Sequence, residues 1–292
     1  MIKKGVYAAG ISVINPDLSL NIEETINHAE KIIDKGLHGV FFFGSTGQSQ
    51  LISISEKKEL ISKISTNKNR KNFFIGTGCN SIADNIEIIK YSLAYEFNTF
   101  LIMPPAYYKN NSDEGVFRFY ESIIDSNSKV KIILYNFEKL SGYKFSIKII
   151  KDLKKRFPKN IIGCKDSTYN LYENLKIDNF MMFPGTESKL LKGLEMGCAG
   201  CISAVTNVTH SLSRKVYDDF ENKKKQTVNQ KLVNVRSVFD NYNLISAIHS
   251  YLSLEDKKFL ELLPPLKTLG KKDLKTLIDK LEKENFFKRS AA

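Results

Sequence analysis

Short apolar runs alternate along this chain with amphipathic stretches of about a dozen residues, and the turns between them are rich in Gly, Ser and Asn. The runs predict strands at 6–13, 39–43, 73–76, 99–103, 131–135, 161–165, 180–183 and 201–204. The amphipathic stretches predict helices at 22–35, 55–65, 82–97, 114–125, 147–157 and 187–196. Strand followed by helix, repeated, implies a parallel sheet. Eight such units in roughly 200 residues suit an α/β fold of the (β/α)8 TIM barrel type better than an open doubly wound sheet. Beyond Ser211 the strand signal disappears, and the chain reads as helices broken at Leu263, Pro264 and Pro265. The expected organisation is a barrel over residues 1–215 carrying the active site and a C-terminal helical extension over 216–292. That extension would pack on the barrel or on a neighbouring subunit, and no low-complexity linker separates the two.

At 292 residues with 42% hydrophobic content the chain can bury a sizeable core, which sets disorder aside. A net charge of +12 invites a nucleic-acid reading, but the lysines are dispersed, and their densest runs, at 223–225 and 271–272, are short. Solvated helix faces account for them, so neither nucleic acid nor membrane is expected as a partner. The four cysteines do not form the framework of a small secreted protein, and a reducing, cytoplasmic location fits them best. Cys198 and Cys201 have C-x-x-C spacing without a second pair or a histidine cluster, so packing explains them better than metal or redox chemistry. The apolar N-terminal run stops at Asn15, Pro16 and Asp17, too early for a secretion signal. His28, His38, His210 and His249 are scattered and read as structural or surface residues.

The chemistry is concentrated at predicted strand ends, where a parallel barrel collects its reactive groups. In IIGCKDST, Lys165 closes a short apolar strand. Desolvated amines lose their proton more readily, and a neutral amine adds to a ketone to give a Schiff base. A lysine at a strand end also serves as the ion-pair partner of a residue such as Asp166, and the segment alone leaves both readings open. Gly44, Ser45, Thr46, Gly47 and Gln48 follow the second strand, with two hydroxyls beside glycines that let backbone N–H groups approach an anion. No Gly-Lys-Ser/Thr follows, so this is not a P-loop. The fourth strand runs into Pro104, Pro105, Tyr107 and Tyr108, and the fifth ends at Tyr135, one strand from Lys165. Each tyrosine taken singly reads as packing; together with the lysine they read as a proton-transfer group.

Eight segments in order carry a family resemblance: GVYAAGISVINPD, FFFGSTGQS, FFIGTGCNS, MPPAYYKNNSDEG, ILYNF, IIGCKDST, FPGTES and GCAGCISAVTNV. They resemble the dihydrodipicolinate synthase and N-acetylneuraminate lyase group of class I aldolases. The resemblance implies a homo-oligomer, a tetramer or dimer of barrels, that condenses or cleaves 2-oxo acids through a lysine Schiff base with pyruvate. No cofactor beyond that covalent adduct and no metal is implied. Lys165 resembles the Schiff-base lysine and Tyr135 the phenol that shuttles protons beside it. Ser45 and Thr46 resemble the hydroxyl pair that holds the pyruvate carboxylate, and Ile202 the residue whose backbone lines the pyruvate pocket. Tyr108, counted back from Glu114, resembles the tyrosine that reaches into a neighbouring subunit to complete a relay with Ser45 and Tyr135. Tyr107 is the alternative, because Ala106 blurs the register.

One departure bears on the substrate. Synthases of this group typically read LYNVPxRTG, with the arginine binding an aldehyde's carboxylate, whereas this chain reads LYNFEKLSG. Leu140 stands in the arginine's place and cannot form a bidentate pair. Lys139 offers a point charge, and Glu138 an acceptor suited to a polyhydroxy chain. The expected activity is therefore a pyruvate-dependent aldolase or lyase acting on a 2-keto-3-deoxy sugar acid or a related hydroxy-oxo acid. Dihydrodipicolinate synthase is the competing enzyme, and a catalytically silent ligand-binding barrel the competitor outside catalysis.

Overall fold

The computed structural model describes residues 2–287. Eight parallel strands, β1 (Gly5–Ala9), β2 (Gly39–Phe42), β3 (Phe73–Gly76), β4 (Thr99–Ile102), β5 (Lys131–Asn136), β6 (Ile161–Asp166), β7 (Met181–Pro184) and β8 (Gly200–Ser203), pair in the order β7-β6-β5-β4-β3-β2-β1-β8. Ala199 brings the two ends of the sheet together. Its N–H donates to Met182 O of β7 at 2.8 Å, and its carbonyl accepts the Gly5 N–H of β1 at 2.7 Å. The result is a nearly closed (β/α)8 barrel, as the alternating pattern predicts. Helices α1 (Ile22–Asp34), α2 (Ile54–Ser65), α3 (Ile82–Ala94), α4 (Asp113–Ser126), α5 (Glu138–Ser141), α6 (Ile147–Arg156), α7 (Leu190–Glu195) and α8 (Thr206–Glu221) accompany the strands. Serines start several of them: Ser53, Ser81, Ser112 and Ser146 each accept a first-turn N–H, and Ser53 forms a full capping box with Glu56.

Four predicted strands end early, the fourth and the eighth by one residue, at Ile102 and Ser203, and the first and second for different reasons. The first runs only to Ala9: Gly10 N–H still bonds to Phe41 O of β2, but the donors beyond it leave the sheet, Ile11 N–H for Asn207 Oδ1 and Val13 N–H for Thr25 Oγ1. The second stops at Phe42 because Phe43 adopts φ 57°, which turns the chain out of the sheet. The helix expected from Glu187 begins instead as a 3-10 turn, Glu187–Lys189, before α7.

Inside the barrel Tyr7, Phe41, Phe74, Leu101, Ile133, Tyr135, Phe183 and Ile202 pack together. The alternate strand residues face the helices and form the larger core. After α8 come α9 (Asn229–Phe239), α10 (Leu244–Leu252) and α11 (Lys271–Lys283). Val235, Phe239, Ile248, Leu277 and Leu281 of these helices share one apolar cluster with Ile11, Val13, Val205 and Val208 of the barrel. The tail is thus seated over the end of β1 and the start of α8. Among the described residues, no helix is long and apolar enough to cross a membrane.

Candidate active site

The pairing of β5 with β6 positions the central groups. Tyr135 lies opposite Lys165 and Asn136 opposite Asp166, after a register irregularity between Ile132 and Ile133. Because the side chains of paired parallel strands share a face, Tyr135 and Lys165 both enter the barrel interior. Lys165 is 3% exposed, and its Nζ sits 4.0 Å from the centre of the Tyr135 ring. The Tyr135 hydroxyl in turn lies 2.9 Å from Ser45 Oγ. The amine, phenol and alcohol therefore form one continuous set.

The ion pair expected on the structural reading of Lys165, with Asp166, is absent. Asp166 is fully buried and accepts from Asn136 Nδ2 at 2.8 Å, Tyr169 N–H at 2.8 Å, Leu171 N–H at 2.9 Å and Tyr172 N–H at 3.0 Å. Its carboxylate fixes the loop after β6. Among the described residues no carboxylate bonds to Lys165, so its amine meets only the π-face of Tyr135.

Beyond β2, Ser45–Gly47 forms a 3-10 turn closed by Gly47 N–H to Gly44 O at 3.1 Å and Gln48 N–H to Ser45 O at 3.1 Å. A side chain at Gly47 would press on Gly10 O, so only glycine lets this turn lie against β1. Thr46 is 5% exposed, and among the described residues its hydroxyl has no partner. A hydroxyl that has no protein partner and is not fully sealed from solvent is open to a ligand oxygen. Ile202 is fully buried in β8, opposite Tyr7 of β1.

Other expected site residues lie at the rim. Tyr107 and Tyr108 are 80% and 73% exposed, ring against ring at 5.3 Å, and neither hydroxyl meets Ser45 or Tyr135 within one chain. Glu138, Lys139 and Leu140 lie on the short helix α5, with Leu140 partly exposed and Glu138 3.9 Å from Lys144. The Glu138 N–H donates to Thr168 Oγ1 at 2.8 Å, tying α5 to the loop after Lys165.

Three features escape the sequence reading. Lys109 Nζ donates to Ala106 O at 2.7 Å and Leu140 O at 3.1 Å, so a cation stands beside Leu140; only its place in the tyrosine loop hinted at this. Glu187, at the end of β7, is fully buried, ion-paired with Arg236 of α9 at 3.0 Å and hydrogen-bonded to Ser203 of β8. Gln48 Oε1 accepts the Leu263 N–H at 2.8 Å, joining the hydroxyl turn to the tail. Arg236 and Leu263 carry no local signal, because only the return of the tail brings them near.

The cysteines and histidines behave as packing groups. Cys79, Cys164, Cys198 and Cys201 are buried and free, and burial pushes the Cys198 thiol up to about 11. His28 Nε2 donates to Asn207 Oδ1, 3.1 Å away, and His249 Nδ1 lies 3.1 Å from Phe259 O. Among the described residues, no group of three or more His, Cys, Asp or Glu could hold a metal ion.

Known proteins carry the same pattern. The profile of the dihydrodipicolinate synthetase family matches residues 3–284. A 2-dehydro-3-deoxy-D-gluconate/2-dehydro-3-deoxy-phosphogluconate aldolase of Picrophilus torridus is 28% identical, covering 69% of this chain and 77% of its own. A 4-hydroxy-tetrahydrodipicolinate synthase of Bartonella bacilliformis is 29% identical, covering 73% and 74%. In structure, a prophage protein of the dihydrodipicolinic acid synthase family from E. coli K12, solved in complex with pyruvate, superposes with TM-score 0.88. It is 21% identical and covers 98% of this chain and all of its own, which establishes likeness of fold. The chain belongs to the dihydrodipicolinate synthetase family, and it is an aldolase-type carbon–carbon lyase.

Proposed function

We propose that this member of the family is a pyruvate-dependent class I aldolase that cleaves or makes a 2-keto-3-deoxy sugar acid or a related hydroxy-oxo acid. The observation that carries the proposal is Lys165 itself: buried, without a carboxylate partner, against the ring of a tyrosine whose hydroxyl reaches Ser45. In the proposed reaction the Lys165 amine adds to C2 of the oxo acid, and loss of water gives an iminium that accepts electrons. In the cleavage direction Tyr135 takes the proton of the C4 hydroxyl, the C3–C4 bond breaks, and an aldehyde leaves. The enamine of pyruvate stays on Lys165 until protonation and hydrolysis release it. Ser45 passes the proton onward, and Thr46 with the turn around it holds the substrate carboxylate. No further cofactor enters these steps.

The exposed pair Tyr107 and Tyr108 supports a tetramer or dimer in which one phenol completes the relay in a neighbouring site. The buried thiols agree with a cytoplasmic location.

Leu140 favours a neutral polyhydroxy aldehyde, since an aliphatic side chain cannot bind a second carboxylate. The competing reading, dihydrodipicolinate synthase, draws support from Lys109, whose ammonium stands beside Leu140. Pyruvate condensed with a panel of aldehydes, with products detected by mass, separates the two. Glyceraldehyde-type partners are expected to react, and preference for aspartate semialdehyde would establish the synthase.

A further inference from the structure

The lyase chemistry occupies the C-terminal mouth of the barrel, yet the opposite mouth holds a cavity of about 860 Å³ that this chemistry does not use. Its walls come from the segments that precede β1, β2, β3 and β4, joined by α8. Five cationic side chains line it, Lys3, Lys4, Arg70, Lys71 and Arg214, against a single carboxylate, Glu96. The whole chain has 44 basic to 32 acidic residues, so general basicity does not account for five to one. Glu96 is bound to Arg70 at 2.8 Å, and Arg214 is held by Asp218 at 2.7 Å. Among the described residues, Lys3, Lys4 and Lys71 have no carboxylate partner.

Further features make this a site and not merely a basic surface. His38 also lines the cavity, and its Nδ1 accepts the Val6 N–H at 3.0 Å, which puts the proton of the neutral ring on Nε2 as an added donor. Part of the wall is apolar, from Leu37, Phe73 and Phe97, with the Arg70 guanidinium lying over the Phe97 ring at 5.5 Å. The inner end is closed by Tyr7, edge-on to Phe41, Phe74 and Phe183, with its hydroxyl donating to Lys3 O at 2.8 Å. This packed layer separates an occupant of the lower mouth from Lys165.

Like charges gathered around one cavity repel unless a counter-ion sits among them. We infer that the lower mouth binds a compact multivalent anion of the phosphate class, as free pyrophosphate or as the phosphate chain of a nucleotide-like ester. Ammonium groups bind phosphate oxygens as point charges without needing the planar fork of arginine, which suits three unpaired lysines.

Calorimetric titration of the full chain with inorganic pyrophosphate tests this, with potassium chloride at matched ionic strength as control. Pyrophosphate is expected to bind saturably, and Lys3→Gln/Lys4→Gln/Lys71→Gln to weaken it by about 10-fold or more. The three side chains are exposed, so the variant should fold, and without anion it should melt at a higher temperature because the repulsion is gone. A parallel titration with adenosine triphosphate separates the sources: tighter binding than pyrophosphate assigns the apolar wall to an organic moiety, and equal or weaker binding assigns the site to the inorganic anion. No heat beyond the chloride control with either anion, or equal affinity in the triple variant, would overturn the inference.

Discussion

Asp166 and Lys165 are neighbours in sequence but serve opposite ends of the site. Asp166 accepts three loop N–H groups and the Asn136 amide, and so holds the loop after β6 in place while Lys165 faces the barrel interior. Asp166→Ala would leave those donors buried and unpaired, so we expect a loss of about 3 kcal/mol or more in urea unfolding; a variant as stable as the native chain would contradict this role. Tyr135 stands between Lys165, which lies against its ring, and Ser45, which its hydroxyl reaches. Tyr135→Phe should keep the fold and lower turnover by about 100-fold or more in steady-state kinetics, the scale of a lost acid/base group. Near-normal turnover would move the proton transfer to another group. Lys165 and Tyr135 were legible because each closes an apolar run that can only be a strand. The service of Asp166 was not, since its partners at 169–172 lie in a loop without periodicity.

The strands themselves came through with edges shifted by a residue or so, apart from the first. What no hydrophobic pattern reveals is the irregularity between Ile132 and Ile133. Carried on from the pairing of Ile132 with Ile161, a regular register would set Tyr135 opposite Cys164, and Lys165 would no longer share its face. The shift restores the match by placing Tyr135 opposite Lys165. Helix α5 sets the specificity question. Its αL cap, Gly142 at φ 71°, lets the Lys109 stem pack against the helix end, so cation and Leu140 sit side by side. Aspartate semialdehyde should react with the pyruvate enamine about 10- to 150-fold less well in kcat/KM than glyceraldehyde, the cost of one missing charge-assisted contact. Leu140→Arg should narrow or reverse that ratio. Efficient use of the semialdehyde by the native chain would show Lys109 or Lys139 doing the arginine's work.

Across the molecule, the tail and the barrel share charge as well as core. Arg236 of α9 reaches Glu187 at the end of β7, so Arg236→Met would strand a buried carboxylate and should cost about 3–5 kcal/mol of stability in denaturant unfolding. An unchanged midpoint would mean the tail is only loosely seated. A helical tail was legible from its periodicity; its seat was not, because Gln48 meets Leu263 across 215 residues and Glu187 meets Arg236 across 49, separations that no local pattern reports. Acid sensitivity is also a property of the whole. Desolvation holds His28 at about 3 and His210 and His249 at about 4 in the folded chain, against an ordinary 6.5. Below 6.5 the unfolded chain binds protons that the folded chain refuses, so stability is full above that value and falls as pH drops towards 4. Unfolding near pH 5.5 should take up about three protons, read from the slope of unfolding free energy against pH. A flat profile between pH 7.5 and 5.5 would contradict the burial of these rings.

The central claim is that Lys165 forms the covalent bond to pyruvate. Incubation with pyruvate and sodium borohydride, followed by peptide mass mapping, tests it directly, because reduction converts the iminium to a stable secondary amine. One reduced pyruvate adduct is expected, on the peptide carrying Lys165, and none in folded Lys165→Arg. An unmodified Lys165 in folded native protein, or an adduct on another lysine, would contradict it.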